Sequence, residues 1–178
     1  MTESTLDRSP RPRSTHPIAA AARALWTLPT NLFGHAIGAL VSFSTGRPVG
    51  GPVARGRLYV IRMPIVEKVK GITLGHAILL SPDFAEGTFG RLVLAHELAH
   101  TRQHDLLGPF YLPVHAVAQL VSALIWPFAR VEGSDPVHAH NPFEQRWLFF
   151  GHDAIRGLMN GERMTPEERD RWLDGLGV

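Results

Sequence analysis

The chain has 178 residues, 44% of them hydrophobic and 19% charged, a balance typical of one folded domain and not of a disordered chain. The net charge is only +2 and no run of basic residues occurs, so we expect no nucleic-acid partner. Because the chain has no cysteine, disulfides, thiolate metal sites, iron–sulfur clusters and a cysteine nucleophile are excluded. The ten histidines are a high count for this length, and any metal would be held by imidazole and carboxylate groups.

The N-terminal segment has no apolar core directly behind a basic start and is not expected to be a secretory signal. Residues 1–16 mix acids, arginine and proline and predict a disordered tail, while residues 17–178 are expected to form a single domain. Residues 18–28 are rich in alanine and residues 32–43 are apolar but rich in glycine. They predict one or two short helices, the first ended by Pro29, lying against the core or a membrane.

Two runs of β-branched and aromatic residues, 58–63 and 72–80, predict the strands of a small sheet. Residues 66–71 between them are expected to form a turn or an irregular crossing. An apolar period of 3.6 residues then predicts a helix over residues 89–104, which ends before Gly108.

Two further helices carry clear start signals. Asn141 followed by proline predicts the start of a helix over residues 142–158. Thr165 and Glu168 have the spacing of a capping box, which predicts a last helix to about Gly175. The predicted fold class is therefore α+β: a small β-sheet followed by an active-site helix and further packed helices.

The sequence HELAH at residues 96–100 lies within the predicted helix 89–104. Residues four apart on a helix lie one above the other, so His96 and His100 would project from one face. Two such imidazoles can occupy two corners of a zinc tetrahedron, and Glu97 would lie beside the metal to take a proton from water. The alternative is a surface helix with unrelated histidines.

A catalytic zinc site needs a third protein ligand and one open position. His104 is excluded, because three histidines on successive turns of a straight helix span roughly 12 Å. We favour Glu144, on the helix predicted to start at residue 142, and retain His140 and His138 of the preceding loop as alternatives. Glu144 could instead complete a capping box with Asn141. The expected cofactor is one Zn²⁺ per chain.

The chain resembles a set of small bacterial proteins close to the gluzincin class of zinc metallopeptidases. The likeness covers roughly residues 72–157 and rests on HELAH with the following Arg-Gln pair, on LGPFYLP at residues 107–113 and on NPFE at residues 141–144. It implies a minimal zincin-like fold and hydrolysis of peptide bonds. It also implies three metal ligands and a general base, here His96, His100 and Glu144 with Glu97.

One position departs from the gluzincin pattern. Members of that class often have an acidic residue four positions after the ligand glutamate to orient a ligand histidine, and here that position is Leu148. The orienting group is therefore expected elsewhere, with Asp105, Asp153 or a backbone carbonyl as candidates.

Residues 106–129 contain no charged side chain, so a membrane helix has to be considered. Pro113 and Pro127 bracket an uninterrupted part, residues 114–126, that is too short to span a bilayer. A single crossing would also separate His100 from Glu144. We predict a buried core helix or one that dips into the membrane interface.

Other candidates carry less weight. Tyr111 is predicted either to stabilise an oxyanion as a hydrogen-bond donor or simply to pack near the helix end. His138 and His140 are kept as auxiliary site residues. Three histidines in apolar surroundings are predicted to be core or surface residues and not ligands: His35, His76 and His115.

The leading functional hypothesis is a zinc metallopeptidase acting on a peptide or protein substrate, which could add as a strand to the edge of the sheet. Two rivals are kept: a non-catalytic metal site in an interaction protein, and a membrane-surface protein with incidental histidines. The expected location is cytoplasmic, with peripheral membrane contact as the alternative.

Overall fold

A computed structural model of the chain describes residues 17–45, 52–53, 56–62, 64–84, 87–132, 136–144 and 165–176. The predicted tail, residues 1–16, lies outside these ranges. So does most of the helix predicted over residues 142–158.

The fold is α+β, as predicted, with a small mixed sheet and a largely helical remainder. The helices are α1 (Pro17–Thr45), α2 (Pro64–Val69), α3 (Gly87–Leu107), α4 (Tyr111–Ile125) and α5 (Pro166–Leu176). The strands are β1 (Pro52–Val53), β2 (Gly56–Val60), β3 (Gly71–Leu74) and β4 (Ala77–Leu80). Short 3₁₀ turns lie at Pro82–Phe84, Gly108–Phe110 and Pro142–Glu144.

The four strands are arranged in the order β1-β2-β4-β3. β2 and β4 are parallel, with Tyr59 opposite Leu79, whereas β3 and β4 form an antiparallel hairpin with Thr73 opposite Ile78. All four residues of β4 are buried. Because β3 is the last strand in this order, it is an edge strand, and no other strand in the described part of the chain pairs with its outer edge.

Helices cover both faces of the sheet. Because alternate residues of β4 point to opposite sides, each of these helices contacts a different set of them. On one side α1 packs over a cluster that includes Tyr59, Ile61, Ala77 and Leu79. On the other side Val93 and Leu98 of α3 pack against Ile78 and Leu80 of β4. The sheet thus fixes the position of α3, which carries the HELAH sequence.

Two glycines let α1 approach the sheet closely. A Cβ atom on Gly34 would lie 2.0 Å from the carbonyl oxygen of Leu74, and one on Gly38 would lie 2.8 Å from the ring of Tyr59. Since real Cβ atoms do not approach other atoms this closely, any larger residue at either position would push the helix off the sheet.

The prediction that Pro29 ends the first helix is wrong, because α1 continues through it to Thr45. A proline inside a helix removes one backbone hydrogen bond and costs about 3 kcal/mol. Pro29 lies on the exposed side of α1, so its ring does not meet the sheet. Packing of the following turns against the sheet outweighs the local preference.

The predicted strand over residues 72–80 is two strands, since the chain turns at Gly75, whose φ of 67° favours glycine. Part of the crossing predicted at residues 66–71 is helix α2. At the C-terminus the capping box is confirmed: Thr165 Oγ1 accepts from the Glu168 amide at 3.3 Å, and Glu168 Oε2 accepts from the Thr165 amide at 2.9 Å.

Candidate metal centre

The first feature of the site is a pair of histidines on one face of α3. The Nε2 atoms of His96 and His100 are 3.2 Å apart, and their rings meet edge to face at 86°. This is the geometry expected for residues four apart on a helix. His100 is buried, whereas the side chain of His96 is 22% exposed.

Glu144 approaches these histidines from the 3₁₀ turn Pro142–Glu144. Its Oε2 lies 3.5 Å from Nε2 of His96 and its Oε1 lies 3.3 Å from Nε2 of His100. Asn141 holds the turn, because its side-chain oxygen accepts from the Phe143 amide at 2.9 Å and its carbonyl accepts from the Glu144 amide at 2.9 Å. The Glu144 carboxylate therefore faces the histidines.

The spacing of these donor atoms fits a tetrahedral metal. Bonds of about 2.0–2.1 Å at tetrahedral angles place ligand atoms about 3.3 Å apart, and the three edges measured here are 3.2, 3.3 and 3.5 Å. Two neutral imidazoles and one carboxylate are also a donor set that zinc accepts. We call His96, His100 and Glu144 the first cluster; these residues could hold a metal ion.

Gln103 orients His100 for this role. Its Nε2 donates to the carbonyl of Phe143 at 3.1 Å, so its Oε1 is the atom 2.9 Å from His100 Nδ1 and accepts that proton. The lone pair of His100 Nε2 then points toward Glu144. The expected orienting groups were Asp105, Asp153 or a backbone carbonyl, and for His100 that prediction is wrong.

Within the first cluster the pKa of each group depends on the charge of its neighbours. Burial would raise the pKa of Glu144, but the nearby charges of His100 and His96 and the adjacent imidazole of His115 hold it well below its usual range. Burial would likewise lower the pKa of His100, but Glu144, Glu97 and the bond to Gln103 raise it to about 9. The cluster therefore favours one bound positive charge next to Glu144, which a proton or a metal ion can supply.

Glu97 lies on the sheet side of α3, buried against β3. The hydroxyl of Thr73 donates to its Oε2 at 2.6 Å, and a Cβ atom on Gly71 would lie 2.6 Å from its Oε1. Burial raises the pKa of Glu97, and this outweighs the opposing effects of His100 and of the Thr73 hydrogen bond. Gly71 thus leaves just enough room for the carboxylate.

Two residues of α4 line the other side of the first cluster. His115 Nε2 lies 3.7 Å from Oε1 of Glu144, and its ring centroid is 5.3 Å from that of His100. The prediction that His115 is a core or surface histidine missed its place beside the cluster, because nothing in the apolar sequence around it indicates which face of α4 meets the cluster. Tyr111 is fully buried, and its hydroxyl has no hydrogen-bond partner in the described part of the chain.

The two loop histidines take different positions. The carbonyl of His138 accepts from the Asn141 amide at 3.3 Å, and its imidazole lies close enough to influence the pKa values of Glu97 and His115. The ring of His140 instead bonds to the carbonyl of Ala129. Neither belongs to the group of ligand atoms formed by the first cluster.

A second cluster lies where the next turn of α3 meets the hairpin between β3 and β4. It consists of His76, His104 and Asp105, whose ligand atoms lie within 4.8 Å of one another. His76 Nε2 is 2.8 Å from Oδ1 of Asp105. Asn31 Oδ1 accepts from the His76 amide at 2.8 Å, so its Nδ2, 3.3 Å from His76 Nδ1, donates to that atom. Neutral His76 therefore carries its proton on Nε2, between the ring and Asp105, where a metal would have to bind.

His104 is the unusual member of the second cluster. It is fully buried, and neither ring nitrogen has a hydrogen-bond partner among the residues whose placement is described. Burial lowers its pKa to about 4, so the ring is neutral near pH 7.

The helical run Gly87–Ile125, which comprises α3, the 3₁₀ turn and α4, is long and apolar enough by length and composition to cross a membrane. It is the one such run in the described ranges. His100 lies before the uncharged residues 106–129 and Glu144 after them, yet these two side chains meet at 3.3 Å. Residues 106–129 therefore cannot cross a bilayer once, because the segments before and after them meet on the same side.

We compared the chain with protein-family models, with curated proteins and with solved structures, and none of them matches it.

Proposed function

We propose that the protein is a zinc metallopeptidase that binds one zinc ion per chain through His96, His100 and Glu144. The observation that supports this best is the triangle of donor atoms with edges of 3.2 to 3.5 Å. The buried carboxylate of Glu97 lies on the same helix as the two histidines. The resemblance of HELAH, LGPFYLP and NPFE to gluzincin-like proteins points the same way. A minimal zincin-like fold is part of the proposal.

Zinc held by these residues would lower the pKa of a water molecule and polarise the carbonyl group of a peptide bond. Glu97 acts as the general base, taking a proton from water and giving it to the leaving amine. A raised pKa suits this task, because a base with a pKa nearer neutrality can both accept and return a proton. Thr73 holds the carboxylate in one orientation by donating to Oε2.

The substrate binds in extended form along the outer edge of β3. Gly71 and Thr73 face Glu97 from this strand, so a peptide paired with its edge would pass next to the base. The imidazole of His115 lies 3.7 Å from Oε1 of Glu144. Burial keeps the pKa of Tyr111 well above its usual value, so its hydroxyl stays protonated and can donate to a substrate oxygen.

A second candidate function is a non-catalytic metal site in an interaction protein. The short Thr73–Glu97 hydrogen bond favours it, because a carboxylate tied to the sheet can serve a purely structural role. The two candidates differ in whether Glu97 is needed for turnover.

The test combines elemental analysis with cleavage of a quenched-fluorescent peptide library. We expect about one zinc per wild-type chain, zinc retained in Glu97→Gln, and turnover at least about a hundredfold lower in that variant. Glu168→Gln, at an exposed position of α5, is the control and should change neither quantity.

Wild-type protein without stoichiometric metal would contradict both candidates. Zinc binding without peptidase activity in any chain would favour the non-catalytic site. Full activity in Glu97→Gln would remove Glu97 from the mechanism.

A further inference from the structure

Helix α4 has an unusual distribution of polar and apolar side chains. Every exposed residue between positions 111 and 129 is apolar. The large ones have between 38% and 90% of their surface exposed: Val114, Val117, Leu120, Val121, Leu124, Ile125 and Phe128. The inward side carries His115 near Glu144 and the buried Ser122, whose hydroxyl donates to the carbonyl of Pro136 at 2.7 Å and accepts from the His140 amide at 2.9 Å. A helix on a water-facing surface has the opposite arrangement.

Helix α1 shows the same inversion. From Pro17 to Phe43 its exposed residues are all apolar except Arg23. The large exposed side chains include Leu25, Leu28, Leu32, Phe33, Leu40 and Phe43. The fully buried residues are small or polar: Thr27, Thr30, Gly34, Gly38 and Ser42. The larger inward residues, Ile37 and Val41, are only partly buried against the sheet. Small inward residues with large apolar residues outward are typical of helices whose surroundings are lipid.

The two apolar surfaces meet at the turn before α4. The rings of Trp26 in α1 and Phe110 in the turn before α4 are 6.0 Å apart, and both remain partly exposed. Gly108 permits this contact, because a Cβ atom there would lie 2.3 Å from the Trp26 ring. The exposed surfaces of α1 and α4 are therefore continuous through Trp26 and Phe110.

We propose that the exposed faces of α1 and α4 bind a lipid bilayer, with the protein lying in the membrane interface. A soluble protein rarely exposes contiguous apolar surface on this scale without a partner for it. Lipid fits better than a second helix or a second copy of the chain. A helix seam is narrow and flanked by charged residues, whereas the apolar face of α4 spans about 180° of the helix and residues 106–129 carry no charge.

The protein lies on the membrane and does not cross it through α4. The helix has 15 residues, too few for a bilayer core of about 30 Å. The segments before and after α4 also lie on the same side of the membrane, since His100 and Glu144 are in contact. The face of α4 that carries His115 then turns away from the lipid, toward the first cluster.

The first test is sedimentation of the full-length protein with vesicles of neutral phosphatidylcholine at low and high salt. Wild-type protein should bind in both, because the surface is apolar and not charged. Leu124→Lys should weaken binding at least about tenfold, since it places an ammonium group in the contact surface. Ile65→Lys is the matched control: Ile65 in α2 is 54% exposed, against 63% for Leu124, and its variant should bind like wild type.

A second measurement does not depend on a charged substitution. Because the chain has no cysteine, single variants Leu124→Cys and Ile65→Cys can each carry a polarity-sensitive fluorophore. The probe at position 124 should shift to the blue on addition of vesicles, and the probe at position 65 should not.

Wild-type protein that stays in solution with all vesicles would overturn the proposal. So would an oligomer that Leu124→Lys dissociates while neither protein binds lipid, because the surface would then join copies of the chain. Zinc content of the same samples keeps this test separate from the proposed peptidase function.

Discussion

The two clusters can be compared directly, because each combines two histidines with one carboxylate and their α3 residues lie one helical turn apart. In the first cluster, an amide oxygen of Gln103 accepts the Nδ1 proton of His100, so Nε2 offers a lone pair. In the second, an amide nitrogen of Asn31 donates to Nδ1 of His76, so Nε2 carries the proton. Close spacing of ligand atoms is therefore not sufficient; the group bonded to the remote ring nitrogen decides which atom can bind a metal.

The largest expected effect is on metal binding. His100→Ala should reduce zinc affinity more than about a hundredfold, because it removes a ligand and leaves the Glu144 carboxylate buried without its main partner. His104→Ala, one turn away, should retain zinc. Competition with a chromophoric chelator measures both affinities, and equal loss in the two variants would show that the comparison is wrong.

The next effect concerns acid stability. The pKa of His104 is lowered to about 4 in the folded state from an ordinary value of 6.5, so the unfolded chain binds more protons between these values. This residue therefore favours folding above pH 6.5, and its contribution is lost as the pH falls toward 4, by at most about 3 kcal/mol.

Thermal melts of metal-free protein across this range test the acid effect. We expect His104→Phe, which keeps an aromatic ring of similar size, to lose less stability on acidification than wild type. Parallel loss in the two proteins would exclude His104 as the source.

The smallest effect tests the orienting amides. Gln103→Leu should weaken zinc binding about 10–100-fold, since the Nδ1 proton of His100 loses its acceptor. Asn31→Leu removes the corresponding amide of the second cluster and should leave zinc affinity unchanged. A result in which the Asn31 variant has the larger effect would assign the metal to the second cluster.

Local patterns in the sequence predict the parts of the molecule that depend on neighbours along the chain. The position of His96 above His100 follows from helix geometry, and the Thr165–Glu168 capping box from the hydrogen bonds that a helix start requires. The small sheet and the α+β class follow from β-branched runs placed before helical periods.

Features that depend on distant contacts could not be predicted in this way. Pro29 ends a helix by local preference, and only packing on the sheet carries α1 through it. The acceptor role of Gln103 depends on the Phe143 carbonyl 40 positions away, which no pattern near residue 103 indicates.

The sequence by itself determined the chemistry that is available: imidazole and carboxylate groups without thiols, two histidines on one helix face, and a long uncharged segment. Tertiary structure placed Glu144, the candidate that the sequence favoured over His138 and His140, against those histidines. It alone decided that His115 joins them and that α1 and α4 turn their apolar faces outward. The physical reason is that a helical pattern fixes which residues share a face, whereas only the packing of distant segments fixes what that face meets.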